Sequence, residues 1–327
     1  QLLRTFGAAA IAAGVLISTS FPAHSAPGPA SPGEYLSPSA MVATKDGKTL
    51  YIACATAGKV LVLDVASRKV AGSFAVPASP TGVCLSADET KLFVTCAAPD
   101  SKVCVVETAT GKTLATLAAG HTAMSPVLSP DGKTLYTCNR FSGDLSQIDL
   151  AAGKEVRRIR VQREPVAAAL TADGKFLLVA NHIHQGRSDV DVVAAAVSVI
   201  DTASGQVIKE LQLPNGCGLL RDIRVSPDGK YAVVTHLLAR FHLPTTQLER
   251  GWMNTNAKTI VDLATLKLVN TVLLDNVDSG AANPWGAAWT ADGKTVVVAH
   301  SGTHEISVID FPGLLAKLAK LPEKIDE

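Results

Sequence analysis

Six side chains that could do chemistry stand at equivalent positions of a repeated pattern. Each lies eight residues after the Asp of an Asp-Gly or Asp-Glu pair, near the end of a β-rich run. In chain order they are Cys54, Cys96, Asn139, Asn181, His236 and His300. Thiolate sulfur and imidazole nitrogen are ligands that zinc and copper prefer. If the six repeats close a ring, the Cys and His repeats are consecutive around it, so we predict a zinc or copper site at this level.

A second pair of candidate metal ligands follows the fourth repeat. His182 and His184 are separated by one residue, so an extended segment presents both imidazoles on one side. The competing interpretation is structural: Cys packs as a small buried hydrophobe, and His hydrogen-bonds a loop carbonyl. Equivalent residues of neighbouring repeats also stand too far apart for a Cys54–Cys96 disulfide, which needs Cα atoms within about 7 Å.

Charged and aromatic residues gather in the segments that depart from the repeat. The predicted ligand or partner face comprises Arg140, Arg163, Glu164, Arg187, Arg240, His242, Trp252, Asp278, Trp285 and His304. Guanidinium groups clamp anionic ligands or partners, but Arg–acid pairs that only stabilise loops give the same pattern. The tryptophans, which lie on long insertions, either anchor loops or form interaction hot spots.

Motifs of the common enzyme classes are absent from the sequence. It contains no Gly-x-Ser-x-Gly, P-loop, dinucleotide-binding glycine pattern or His-Glu-x-x-His, and no Cys-x-x-Cys-His for covalent haem attachment. We therefore assign no catalytic residue and leave open whether the chain is an enzyme. A binding or scaffold module is favoured.

The composition is that of a globular chain without a basic surplus. The 327 residues are 47% hydrophobic, and 30 Lys and Arg balance 29 Asp and Glu. Proteins bind nucleic acid largely because basic side chains release counterions from the phosphates. A net charge of +1 provides no such surplus of basic residues, so no nucleic-acid partner is predicted.

The first residues have the pattern of a secretory leader. Arg4, an apolar run from Gly7 to Ile17, and the small residues Ala23 and Ser25 predict a signal peptide over residues 1–25. We expect a periplasmic or secreted protein with no stable membrane span after cleavage. Residues 26–37, rich in Pro, Gly and Ser, are expected to form an arm.

The elements that must position these residues follow from the repeat itself. The Asp residues at 46, 88, 131, 173, 228 and 292 are spaced by 42, 43, 42, 55 and 64 residues. Each is followed by two β-rich runs, the second ending in an acid and a small-residue turn. This period is typical of β-propeller blades. The sequence therefore predicts an all-β propeller of four-stranded antiparallel blades over residues 38–312, in preference to an open β-sandwich.

The sixth repeat departs from this plan because it lacks a fourth strand. Residues 313–327 instead predict a short helix and tail, with Leu314, Leu315, Leu318 and Leu321 at helical spacing. Two completions remain open: a strand near Glu34 to Leu36, or a seventh blade in a longer chain.

The repeat resembles the YVTN-type β-propeller family. The resemblance covers residues 38–311 and rests on segments such as Leu128–Tyr136, Val225–Lys230 and Val197–Asp201. The insertions Ala239–Pro244 and Ala282–Gly286 resemble those of bacterial members that continue into a di-haem peroxidase-like domain. The family repeat implies structure and no chemistry of its own.

Three functions stay open on these grounds. The first is an exported scaffold that docks a protein partner or small ligand on its loop-rich face. The second, implied by the resemblance, is the propeller portion of a periplasmic redox protein of the di-haem peroxidase-like kind. The third, also implied by the resemblance, is a lactonase-like hydrolase that uses acids or a metal at the rim.

Overall fold

Six antiparallel sheets, arranged as the blades of a propeller, make up the fold. A computed structural model describes residues 35–77, 79–241, 253–276 and 280–321. The first five sheets have four strands and the sixth has three, and within each sheet the strands lie side by side in chain order. The first strands of successive blades pack against one another, which places them innermost. The predicted all-β propeller with six repeats is confirmed.

The strands are short and regularly spaced along the chain. Blades 1 to 3 contain β1 (Pro38–Ala43), β2 (Thr49–Cys54), β3 (Lys59–Asp64), β4 (Lys69–Ala75), β5 (Pro80–Leu85), β6 (Lys91–Cys96), β7 (Lys102–Glu107), β8 (Thr113–Ala118), β9 (Ala123–Leu128), β10 (Thr134–Asn139), β11 (Asp144–Asp149) and β12 (Lys154–Arg160). Blades 4 to 6 contain β13 (Pro165–Leu170), β14 (Phe176–Asn181), β15 (Ala196–Asp201), β16 (Gln206–Gln212), β17 (Cys217–Val225), β18 (Tyr231–Ala239), β19 (Asn254–Asp262), β20 (Lys267–Leu273), β21 (Pro284–Trp289), β22 (Thr295–His300) and β23 (Glu305–Asp310).

The Asp of each repeat organises the turn between the first and second strands of its blade. In blade 3, the Ser129 hydroxyl donates to Asp131 Oδ1 at 2.6 Å and the Lys133 amide donates to the same oxygen at 3.1 Å. Gly132 has φ +70°, a conformation that glycine adopts without a Cβ penalty. All six blades repeat the hydrogen bonds to the Asp, with Glu89 at φ +59° in place of the glycine in blade 2. These hydrogen bonds hold the pKa of each Asp below its ordinary value. The repeated acid is therefore structural.

Apolar side chains that alternate along the strands form a core cluster at each of the five interfaces from blades 1–2 to blades 5–6. On β6, for example, Leu92 faces blade 1 while its neighbour Phe93 faces blade 3. Three apolar residues on β1 and β23, namely Met41, Ile306 and Val308, are exposed.

Blade 6 ends in a helix where the other blades have a fourth strand. Asp310 caps helix α1 (Phe311–Leu318) by accepting from the Gly313 amide at 3.2 Å. The acid at the same position in blade 4, Asp201, instead starts a turn by accepting from the Ser204 amide at 2.7 Å. Helix α1 begins two residues before the predicted segment 313–327. Residues 322–327, the predicted signal peptide and all but the last three residues of the predicted arm lie outside the described residues. Among the described residues, no helix has the length and apolar character that a membrane span requires.

Candidate functional site

The polar side chain at the end of the second strand is held by the third strand of the same blade. Asn139 donates through Nδ2 to Asp144 Oδ1 and Ser146 Oγ, both at 2.8 Å, and its Oδ1 accepts from the Gly120 amide at 2.9 Å. Asn181 likewise donates to Ser198 Oγ at 2.9 Å. These buried amides join the second and third strands at the ends of blades 3 and 4.

The two histidines at this level make the same kind of contact. His236 Nε2 lies 2.8 Å from Thr259 Oγ1, and His300 Nε2 lies 2.8 Å from Ser307 Oγ. Burial lowers the pKa of His236 to about 4, so its imidazole is neutral at pH 7. His300 Nδ1 is buried without a hydrogen-bond partner among the described residues.

The cysteines at this level face apolar or sulfur-containing partners instead. Cys54 and Cys96 are both buried. The equivalent third-strand residues are Leu61 in blade 1 and Cys104 in blade 2. A hydrogen bond to the Cys104 thiol, together with burial, raises the pKa of Cys96. Cys96 is therefore close to Cys104, and the second- and third-strand residues match each other in polarity in every blade.

A metal site at this level is not assembled within the described parts of the chain. There, no three His, Cys, Asp or Glu side chains stand close enough to hold one ion. The set predicted from sequence, His236, His300, His182, His184, Cys54 and Cys96, is instead distributed among the contacts described above and below. Metal binding by these residues stays a prediction from sequence alone.

A second ring of equivalent residues lies just beyond the strand ends. The residue before the first strand adopts a positive φ, +50° at Ser37, +57° at Ser79 and +56° at Glu164. Its carbonyl accepts from the amide that follows the second strand, as in Ala97 to Ser79 at 2.9 Å and His182 to Glu164 at 2.8 Å. Because the first strands are innermost, these residues surround the propeller axis on one face.

The side chains around this ring differ sharply between blades. In blades 1 and 2 they are Ser37, Ala55, Ser79 and Ala97, which we call the small-residue arc. In blades 3 and 4 the ring includes Arg140, Glu164 and His182, and beside it Arg221 and Trp285 lie on the first strands of blades 5 and 6. We call these five residues the polar arc.

Hydrogen bonds connect blades 3, 4 and 5 along the polar arc. Arg140 donates to Glu164 Oε2 through Nε at 2.9 Å and Nη2 at 2.8 Å. The His182 amide donates to the Glu164 carbonyl, and His182 Nδ1 donates to the Leu220 carbonyl at 2.8 Å. Burial, and to a lesser degree the charges of Arg221 and Arg140, lower the pKa of His182. A neutral His182 with its proton on Nδ1 keeps Nε2 as an acceptor.

Arg221 and Trp285 complete the polar arc between blades 5 and 6. The Arg221 guanidinium carbon lies 4.4 Å from the centre of the Trp285 ring, which is 46% exposed. Within the described residues, no carboxylate pairs with Arg221. Burial, and then the positive charge of Arg140, lower the pKa of Arg221. The two guanidinium groups are thus near each other, and of the two only Arg140 is paired with a carboxylate of the described ranges.

The other predicted face residues occupy less connected places. His184 lies within 3.0 Å of the Ala194 and Arg187 carbonyls through its two ring nitrogens. Arg187 pairs with Asp189 on the surface. Arg163 and His304 are exposed, and the Arg240 amide donates to the Met253 carbonyl at 2.6 Å. His242, Trp252 and Asp278 lie outside the described residues.

Two features of the face were missed by the sequence reasoning. Arg221 lies inside β17, whereas the sequence reasoning looked for Arg residues in loops. Phe141, which is 57% exposed, contacts the His121 ring edge-on at 5.4 Å and lies 5.1 Å from the Arg140 guanidinium carbon. The signal available in the sequence was an aromatic residue, Phe141, directly after Arg140 and just beyond a predicted strand.

Comparison with known proteins is consistent with this architecture. Residues 87–191 match a family model described as the cytochrome D1 heme domain. Hydrazine synthase subunit beta of Kuenenia stuttgartiensis is 32% identical over 120 residues, which make up 37% of this chain and 31% of that protein. The solved structure of Kuenenia stuttgartiensis hydrazine synthase aligns with a TM-score of 0.80 at 27% identity, covering 89% of this chain and 81% of that chain.

These similarities indicate a β-propeller family and leave the YVTN-type resemblance a prediction. The sequence match spans less than a third of the length of the curated relative. The family-model match includes Arg140, Glu164 and His182 of the polar arc but not Arg221 or Trp285.

Proposed function

We propose that this propeller is a docking subunit that binds a protein partner through the polar arc. The observation that carries the proposal is the Arg221–Trp285 pair, in which a half-exposed ring and a guanidinium without a carboxylate stand side by side. Tryptophan and arginine are the residues most enriched at the energetic centres of interfaces. An interface there would bury the ring and give the guanidinium an acceptor.

The chemistry of the arc favours a partner with an acidic surface. Arg140 and Arg221 contribute two positive charges, and Glu164 balances one of them. A carboxylate of the partner between the two guanidinium groups would relieve their repulsion. The similarity to a protein named as a subunit of hydrazine synthase supports a role within a multi-subunit assembly.

The experiment is isolation of the protein from its native cells under low salt. We expect one partner protein to co-purify in stoichiometric amount with the wild-type protein. It should not co-purify with the Arg221→Ala variant or with the Trp285→Ala variant. Lys133→Ala, on the Asp-Gly turns of the opposite face, is the matched control and should retain it. A complex that survives both arc substitutions, or is lost equally from the control, would contradict the proposal.

Export is part of the same proposal. The pattern of residues 1–25 supports delivery across the inner membrane, after which the propeller would meet its partner in the periplasm or outside the cell. Sequencing the N-terminus of the protein isolated from native cells tests this. A mature chain that still carries Arg4 would oppose export by cleavage.

A second candidate function is binding of a haem-type cofactor, which the family-model match over residues 87–191 favours. The residues present fit such a group in one respect: His182 donates through Nδ1 to a carbonyl, the arrangement that orients metal-binding imidazoles, and Nε2 has no hydrogen-bond partner among the described residues. Arg140 and Arg221 would hold carboxylates of the group, which would supply electron-transfer chemistry.

Haem titration followed by absorbance tests this second candidate. Saturable binding should be lost from His182→Ala and retained by His184→Ala, because both His184 ring nitrogens already face carbonyl oxygens. Equal binding by both variants, or none by the wild-type protein, would remove the candidate.

A further inference from the structure

One buried position of the repeat changes character in blade 5. It lies on the third strand, four residues before the acid that ends that strand. In blades 1 to 4 the residues there are Val60, Val103, Leu145 and Val197, each 0% exposed. In blade 5 the equivalent residue is Lys258, which is 1% exposed. An ionisable side chain thus stands where the fold otherwise places an aliphatic one.

Lys258 lies between blades 5 and 6 without a counter-ion. Its strand neighbour two residues on, Ile260, packs in the cluster between these blades, so Lys258 faces the same way. No acidic side chain pairs with it in the part of the chain that the structure describes. Burial alone lowers the pKa of Lys258 to about 8. A buried ammonium without a partner is unfavourable, so the site is suited to receive an anion.

A groove with apolar walls leads to this lysine. Its volume is about 260 Å³. Its lining comes mainly from β19 and β20 of blade 5, β23 of blade 6 and helix α1, and includes Lys258, Val272, Leu273, Ser307, Ile309 and Leu314. The only polar side chain beside the lysine in this lining is Ser307, whose hydroxyl already contacts His300 at 2.8 Å. The groove therefore offers one positive charge and an apolar path.

We propose that this groove binds a small monocarboxylate with an apolar chain. The carboxylate accepts hydrogen bonds from Lys258 Nζ, and the chain lies along the aliphatic walls contributed by β20, β23 and α1. Charge complementarity selects the head group, because one unpaired ammonium matches one carboxylate. The volume of the groove selects the size, since sites for drug-sized ligands begin at roughly 300 Å³. No residue of this lining belongs to the polar arc, and the proposal is independent of the proposed docking function.

Calorimetric titration of the full chain with hexanoate tests the proposal. We expect one hexanoate per chain, with neutral 1-hexanol binding at least tenfold more weakly because it lacks the charge that Lys258 recognises. Lys258→Met should weaken the binding of hexanoate at least tenfold. Lys267→Met, which alters an exposed lysine of β20, should leave that binding unchanged.

The substitution has controls for folding. Methionine matches the aliphatic residues at the equivalent positions, so Lys258→Met should keep the far-ultraviolet circular dichroism of the wild-type protein. Lys258→Arg keeps the charge and should bind hexanoate within tenfold of wild type. The proposal is overturned if hexanoate does not saturate, if hexanol binds as tightly, or if Lys258→Met binds hexanoate like wild type.

Discussion

Blades 1 and 2 and blades 3 to 5 share one strand plan but differ in polarity at equivalent positions. The second strand ends in Cys54 and Cys96 in the first group, and in Asn139, Asn181 and His236 in the second. The third-strand partner changes with it, from a side chain without a hydroxyl to Ser or Thr. The last residue of the second strand and its partner on the third strand thus change together, because a buried amide or imidazole needs an acceptor or donor opposite it.

The same contrast continues onto the face of the propeller. Ala55 and Ala97 follow the second strand in blades 1 and 2, whereas Arg140 and His182 follow it in blades 3 and 4. The backbone hydrogen bonds beneath these side chains are the same in all four blades. Strand pairing therefore determines the fold. The side chains around the ring can differ between the small-residue arc and the polar arc without changing it.

The largest effect should come from removing a polar pair of the second group. Asn139→Ala strips partners from Asp144, Ser146 and the Gly120 amide, and we expect it to lower the free energy of unfolding by about 3 kcal/mol. Cys96→Ala removes one buried thiol and should cost about 1 kcal/mol. Urea unfolding at pH 7 measures both, and equal losses would show that the polar pairs add nothing beyond packing.

Lys258→Met should give blade 5 an aliphatic residue at the position where blades 1 to 4 have one. The folded-state pKa of about 8 lies below the ordinary lysine value, so the unfolded chain binds more protons between pH 8 and about 10.5. Wild-type stability should therefore rise across that window, by at most about 3 kcal/mol at 1.36 kcal/mol per pKa unit. The variant should lack this rise and be the more stable protein at pH 7. Urea unfolding at several pH values checks it, and identical pH profiles would show that Lys258 is already paired.

Much of this fold is predictable from sequence because it follows from backbone chemistry. The Ser-x-Asp-Gly turn requires a hydroxyl, a carboxylate and a residue that tolerates positive φ at fixed spacing, and each requirement is visible at Ser129, Asp131 and Gly132. The missing fourth strand of blade 6 is visible for the same reason, since the turn after Asp310 contains a proline and a helical leucine pattern.

The functional face is less predictable because it depends on contacts between distant segments. Arg140 and Glu164 were both selected from sequence, but their pairing joins residues of two neighbouring blades and follows only from the fold. Arg221 was missed because it stands out only through its contact with Trp285, which lies 64 residues away in the next blade. Lys258 resembles an ordinary surface lysine until the blades are superimposed.

Glycine substitution at two matched residues compares the arcs directly. Glu164 and Ser79 have φ of +56° and +57° and differ in that Glu164 holds Arg140. Ser79→Gly should change the free energy of unfolding by less than about 0.5 kcal/mol, because relief of strain offsets added chain entropy. Glu164→Gly should lower it by about 1–2 kcal/mol, because Arg140 then faces Arg221 without a carboxylate. Unfolding in low and high salt measures the difference, which should shrink in high salt; equal effects would show that the ion pair does not stabilise the polar arc.

The smallest effect concerns how firmly the polar arc is organised before any partner arrives. A double-mutant cycle with Arg221→Met and Trp285→Leu should give a coupling of about 0.5–1 kcal/mol, because the guanidinium lies 4.4 Å from the ring centre. The same cycle at Arg140 and Phe141, 5.1 Å apart, should give less, since Arg140 is already fixed by Glu164 and Phe141 is a weaker cation–π partner. Thermal unfolding of the two sets of variants measures both couplings. A coupling near zero at Arg221 and Trp285 would mean that the pair is not formed in the free protein, and the polar arc would then differ from the small-residue arc in composition but not in preorganisation for binding.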